Sequence, residues 1–207
     1  MDPLRSEDDR RAVAARIAAI ERETAGEVVV RIVDQSDDYA FHRLLFAAGA
    51  SAVLAEGLSL TFPWLSAYAL EIAVAAAVAL WFILGTPALL HRFLPKALEA
   101  GAVHRRAQAA FVEDGVHRTR DASGVLIFIS RFEHRVEILA DAGIHRRVGT
   151  EGWDGHVKTI VAGIKAGEAT RGVLSALDAI GAELKAGFPP RSDDENELAD
   201  HVIDTKR

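Results

Sequence analysis

The chain has no cysteine in 207 residues. Disulfides, thiolate nucleophiles and zinc–thiolate centres are therefore excluded. Aromatic residues make up only 7 %, so the apolar half of the composition is mainly Ala, Val, Leu and Ile. Basic residues are outnumbered, 24 against 30, which leaves a net charge of -6. A mild acidic balance argues against nucleic acid as a partner, because binding phosphates requires a basic face. A Gly-rich loop closing on Lys-Ser/Thr is missing, and so is a Gly-x-Ser-x-Gly elbow; two common routes to phosphate and ester chemistry are thereby closed. Met1 to Arg22 is polar and charged, so no cleaved secretory peptide is expected.

The apolar residues are unevenly placed. From Leu44 to Leu90 only Glu56 and Glu71 carry formal charge, with Arg43 closing one end and His91, Arg92 and Lys96 the other. A membrane span needs about 20 apolar residues. Ile72–Leu90 meets that length without a charge, and Leu44–Phe62 meets it with Glu56 toward one interface, where a carboxylate costs less than at mid-bilayer. Pro63, Trp64 and Tyr68 between them suit an interfacial hairpin tip. The tip lacks Lys and Arg, whereas the flanks carry Arg43, Arg92, Lys96, Arg105 and Arg106. The positive-inside rule then places both flanks, and with them both termini, in the cytoplasm. The competing reading is a helical hairpin buried in a soluble protein, and a third is a re-entrant loop.

The remaining segments read as one α/β domain. Ser6 precedes Asp9 in a capping-box pattern, and Val13, Ile17 and Ile20 follow at helical spacing, with Gly26 as the stop. Glu27–Val33 reads as a β-branched strand. After the apolar block, Val103, Ala107 and Phe111 mark one face of a helix. Gly124–Ser130 is apolar on both sides, as a central strand covered on both faces would be. Arg131–His134 is too short for a crossover, so Arg135–Ala140 must pair antiparallel with the preceding strand. Trp153, Val157, Ile160, Val161 and Ile164 form one helical stripe. Val173, Leu177, Ile180 and Leu184 form another, and Gly167 and Gly187 end the two helices. The expected fold class is α/β, a small mixed sheet sandwiched by helices, with an inserted transmembrane helical hairpin. The expected segments are 5–38 for the first helix and strand, 43–92 for the hairpin, 96–187 for the rest of the domain and 188–207 for a polar tail. That tail reads as largely extended or disordered, although Leu198, Val202 and Ile203 would suit a short docking helix.

These segments resemble the TPM domain family. The resemblance rests on Ile20–Val33, with its Thr24-Ala25-Gly26-Glu27 turn, and on the pair Gly124–Ser130 and Arg135–Ile144, with Ser123-Gly124 in place of the Asn-Gly turn. It extends to the closing stretch from Trp153 through Leu184 to Phe188-Pro189-Pro190, and to Asn196-Glu197-Leu198. It covers roughly residues 10–34 and 98–190, in the manner of bacterial membrane-anchored members, and it implies an α/β sandwich. It also implies two activities to weigh, acid phosphatase chemistry and calcium binding, and it keeps a binding role open for Glu27.

Catalytic residues stay unassigned from the sequence. His104, His117, His134, His145 and His156 are scattered at no ligand spacing and are expected on the surface. Asp34, Asp121 and Asp141 fall at strand ends, where open sheets place ligands, and three carboxylates meeting there would hold a hard cation such as calcium or magnesium. Their convergence depends on strand direction. Trp153 is expected in the core or an interface. The functional expectation is a non-enzymatic adaptor in the bacterial inner membrane, multi-pass, with the bilayer and another membrane or cytoplasmic protein as partners. The alternatives are a metal-dependent phosphatase-like hydrolase and a calcium-binding module.

Overall fold

The computed structural model describes Leu4, residues 6–190 and residues 202–205. The chain divides into two compact units, Met1–Ser36 with Ala100–Arg207, and Asp37–Glu99.

The first unit is built on a sheet with strand order β3-β2-β1-β4, where β1 is Val28–Val33, β2 Val125–Ser130, β3 Arg135–Ala140 and β4 Ile203–Thr205. β1 and β2 run parallel from Val28 opposite Val125 to Val33 opposite Ser130. β3 returns antiparallel to β2, as the short turn between them requires. Alternation along β1 and β2 divides the core into two layers. On one face Val28, Val30, Ile32, Val125, Ile127 and Ile129 pack with α1 (Glu7–Glu21), α6 (Ala142–Ala166) and α7 (Ala169–Gly187). On the other, Val29, Val33, Leu126 and Phe128 pack with α5 (Lys96–Glu113). Every residue of β1 and β2 is buried, so the continuous apolar runs in the sequence reflect a sheet covered on both faces. The expected mixed sheet between helices is the one observed.

Local chemistry sets the element ends. Ser6 caps α1 by accepting a hydrogen bond from the Asp8 amide at 3.1 Å. The capping box is not completed as expected: Asp9 instead accepts from the Thr170 hydroxyl at 2.7 Å, which ties α1 to α7. Gly167, at φ 84°, closes α6, a left-handed end that glycine adopts without a steric cost. α6 begins earlier than the Trp153 stripe implied. Asp141 caps its first turn, and Gly149 interrupts it with φ 71° and ψ 167°. In the tail, read as largely extended or disordered, Ile203–Thr205 is extended and forms the edge strand β4, parallel to β1. Ile203 therefore does not belong to a docking helix; Leu198 and the Asn196–Leu198 stretch lie outside the described residues.

The second unit contains α2 (Ala40–Thr61), a 3-10 turn over Pro63–Tyr68, α3 (Ala69–Ile83) and α4 (Pro87–Phe93). The 22 residues of α2 are about 33 Å long at 1.5 Å per residue, enough for the hydrocarbon core of a bilayer. Ala47, Ser51 and Ala55 form a buried stripe at i+4 spacing on α2, the small-residue seam that lets two helices approach closely. Gly49 points away from that seam, with nothing within 4 Å of a built Cβ. No residue of α3 is buried, and Leu70, Val74, Val78 and Phe82 are all more than half exposed. A hairpin serving as a soluble core would bury such residues. Ala40–Thr61 and Pro63–Ile83 are long and apolar enough to cross a membrane. The second span differs from the expected Ile72–Leu90, because the helix stops at Ile83 and α4 restarts at Pro87. The residue before a proline is driven out of the α region, and Thr86 accordingly has ψ 129°.

Candidate functional site

Strand direction decides what the three aspartates can do. β2 is parallel to β1 and antiparallel to β3. The approach to β2 and the exit from β3 therefore share one end of the sheet, and the exit from β1 lies at the other. Asp121 and Asp141 stand at the first end and Asp34 at the second. The expected three-carboxylate cation site is thus not assembled. Among the described residues, no group of three or more His, Asp or Glu side chains is placed to hold a metal ion. Two of the three aspartates also have visible structural tasks. Asp141 accepts the Ala142 amide at 2.6 Å at the start of α6, and Asp34 accepts from Arg131 at 2.8 Å.

Arg131 also donates to both oxygens of Asp204, at 2.8 and 3.0 Å. Asp204 accepts from Arg10 at 3.1 Å, and Arg10 reaches Glu7 at 2.9 Å. This chain of ion pairs fastens β4 to the sheet and to α1. The hydrogen bond from Arg10, together with the charges of Arg10 and Arg11, holds the Glu7 carboxyl below the usual carboxylate range. Beside it, the turn from β2 to β3 folds Glu133 inward. That carboxylate is 2 % exposed; it accepts the Ser130 hydroxyl and, at 3.0 Å, the Ser36 amide. The sequence marked this turn as polar and gave no sign that one of its charges is buried.

At the opposite end, the Thr24–Glu27 turn acts as a structural clasp. The Thr24 hydroxyl donates to the Phe188 carbonyl at 2.6 Å and accepts from the Gly26 amide at 3.1 Å. The Ala25 amide donates to the same carbonyl at 2.9 Å, and the Ser123 hydroxyl donates to the Ala25 carbonyl at 3.1 Å. A Cβ at Gly26 would lie 2.5 Å from Leu184, and one at Gly124 would lie 2.2 Å from the Val116 carbonyl oxygen. The glycines in both turns are thus required by close approach. Glu27 is buried at the start of β1, 6 % exposed.

The histidines divide. His134 and His145 are exposed, and His104 pairs with Glu137. His117 approaches the Phe111 carbonyl at 3.5 Å. His156 corrects the surface expectation: it is 9 % exposed, 3.2 Å from Glu183 and edge-on to the Trp153 ring at 5.8 Å. It occupies the α6 face that carries Trp153 and Ile160, at i+3 and i-4, a position that helical periodicity could have revealed.

A concavity lies elsewhere, between β3 and α6. Its volume is about 500 Å³, and its walls include Val136, Ile138, Trp153, Asp154 and Val157. Among the described residues, β3 is an outer strand, paired with β2 only.

The fold defines a class: an α/β protein whose mixed sheet is covered by helices on both faces. Within that class, residues 94–183 match the TPM domain, the domain that the strand and turn motifs suggested. The matched stretch takes in α5, β2, β3, α6 and most of α7; the Thr24–Glu27 turn lies outside it. The solved structure of the BA42 protein from the psychrophilic bacterium Bizionia argentinensis is similar in fold, with a TM-score of 0.60, 18% identity, and coverage of 96% of this chain and 94% of that one. No curated protein matches the chain in sequence.

Proposed function

We propose that this chain is a membrane-anchored TPM-domain protein, a non-enzymatic adaptor. The observation that carries the reading is the hairpin. α3 buries none of its residues and leaves Leu70, Val74, Val78 and Phe82 more than half exposed, while the α/β unit closes a core of its own. In water, an exposed patch of that size favours association; in a bilayer it is solvated. On this reading both spans cross the bacterial inner membrane, and the basic flanks keep both termini and the α/β unit in the cytoplasm. The hydrolase alternative is weakened by the placement of its candidate ligands. Asp34 is at the far end of the sheet from Asp121 and Asp141, and it is neutralised by Arg131.

The test has two parts. Alkaline carbonate extraction, with reporter fusions at each terminus and at the tip near Trp64, should give an integral protein with cytoplasmic termini and an outward tip. Purified protein in nanodiscs should then leave p-nitrophenyl phosphate unhydrolysed with calcium or magnesium present. Release into the carbonate supernatant would end the anchor, and turnover lost in Asp121→Asn would replace the adaptor with the hydrolase.

A further inference from the structure

We infer that the groove between β3 and α6 binds an extended segment of a partner protein, which adds as a fifth strand beside β3. The inference rests on the adaptor reading and names the surface that such an adaptor would use.

Three features support it. The first is the state of the strand edge. β3 pairs with β2 in six consecutive steps without a bulge, and among the described residues its other side faces no strand. Natural edge strands are commonly protected by proline, bulges, lysine or short length. Over its six residues, Arg135–Ala140, β3 has no proline, lysine or bulge; its charges are Arg135 at the first position and Glu137, which pairs with His104. An unprotected edge presents a row of backbone donors and acceptors, and an extended backbone complements them.

The second is the neighbouring helix. A strand alone would give affinity without selection. Here α6 forms a second wall, and the trough between the walls is lined by Val136, Ile138, Trp153 and Val157. Side chains of an added strand would alternate between that trough and solvent. The volume of about 500 Å³ lies in the ordinary range for ligand sites. Trp153 is 6 % exposed, and its indole N–H has no acceptor among the described residues. A buried donor left unsatisfied is costly, and a peptide entering the groove brings carbonyl groups to this wall.

The third is charge. Asp154 is exposed on the helix wall with no ion-pair partner among the described residues, and Glu137 lines the strand wall, shared with His104. The chain as a whole is acidic. The occupant that fits is therefore an extended peptide with apolar residues at alternate positions and lysine or arginine between them.

The experiment uses the full chain in phosphatidylcholine nanodiscs, which are zwitterionic and so do not attract a basic peptide. The probe is a fluorescein-labelled six-residue peptide of alternating valine and lysine, followed by anisotropy, with empty nanodiscs as the blank. Saturable binding is expected, weakened about tenfold by Asp154→Lys and abolished by Val157→Glu. The alternating valine–glutamate peptide should bind at least tenfold more weakly, by about the same measure. Hydrogen exchange should slow along β3 when the lysine peptide is bound. Unchanged affinity in both variants, equal binding of the glutamate peptide, or protection confined to other segments would each overturn the inference. These failures would leave the adaptor reading standing on another surface, whereas hydrolysis of p-nitrophenyl phosphate would remove the adaptor itself.

Discussion

The guanidinium of Arg43 lies 4.4 Å from the centre of the Trp81 ring and donates a 2.9 Å hydrogen bond to the Trp81 carbonyl. The contact joins the first turn of α2 to the last turn of α3 and sets both residues at one level of the hairpin. A cation stacked on an indole is held by the attraction of the ring quadrupole. A Cβ at Gly85 would come within 2.5 Å of that guanidinium, so the glycine that ends α3 also leaves room for the arginine. Arg43→Ala should destabilise the hairpin by about 1–2 kcal/mol, read as loss of helicity at lower dodecyl sulfate in a detergent titration. Arg43→Lys should retain part of the effect, since the charge stays and the planar stacking is lost.

The clasp between the Thr24 turn and the end of α7 gives a second prediction. Thr24 is 2 % exposed and its hydroxyl makes two hydrogen bonds. Thr24→Val keeps the shape and removes both, leaving the Gly26 amide without its acceptor. A loss of about 2 kcal/mol is expected, measured by thermal unfolding, with Thr24→Ser close to the parent.

Glycine substitutions should divide by position. Gly124→Ala forces a backbone shift against the Val116 carbonyl and should cost about 2–3 kcal/mol. Gly155→Ala on the exposed face of α6 meets nothing within 4 Å and should stabilise by about 0.5–1 kcal/mol through helix propensity. Equal melting temperatures for the two variants would contradict the turn geometry.

Arg31 and Asp114 form a nearly buried pair at 2.5 Å, each side chain 9% exposed. Asp114→Ala strands the Arg31 charge under α5 and should cost about 3 kcal/mol, the low end for a broken buried pair, because Glu113 remains 3.4 Å away. Arg31→Met combined with Asp114→Leu should recover most of that loss, measured by denaturant unfolding.

The lowered Glu7 pKa fixes a pH dependence. A depressed native value means that the contribution is present above the ordinary carboxylate pKa and is lost as pH falls through the lowered one. A carbon-13 titration of the Glu7 carboxyl should give a midpoint below 4.5. Arg10→Ala should move it upward, because it removes the hydrogen bond and the nearer positive charge together. A midpoint unmoved by Arg10→Ala would contradict the pairing.

The sequence alone was enough for α1, α5, α7 and the body of α6, for three of the four strands, and for the pairing of β2 with β3. These follow from local periodicity, from the apolar runs of β1 and β2, and from the four-residue turn that makes β2 and β3 antiparallel. It also marked the hairpin, since two charges in 47 residues leave few alternatives. Tertiary structure decided the rest. β4 has only three residues in a polar tail, and it is a strand because β1 offers an edge and Arg131 and Arg10 meet Asp204. Asp34 parted from Asp121 and Asp141 because β1 runs parallel to β2, a relation set by the long crossover and carried by no local pattern. The burial of Glu133 and His156 depends on partners 97 and 27 residues away. The groove beside β3 likewise exists only because a helix that follows the strand in sequence folds back over an edge left unpaired.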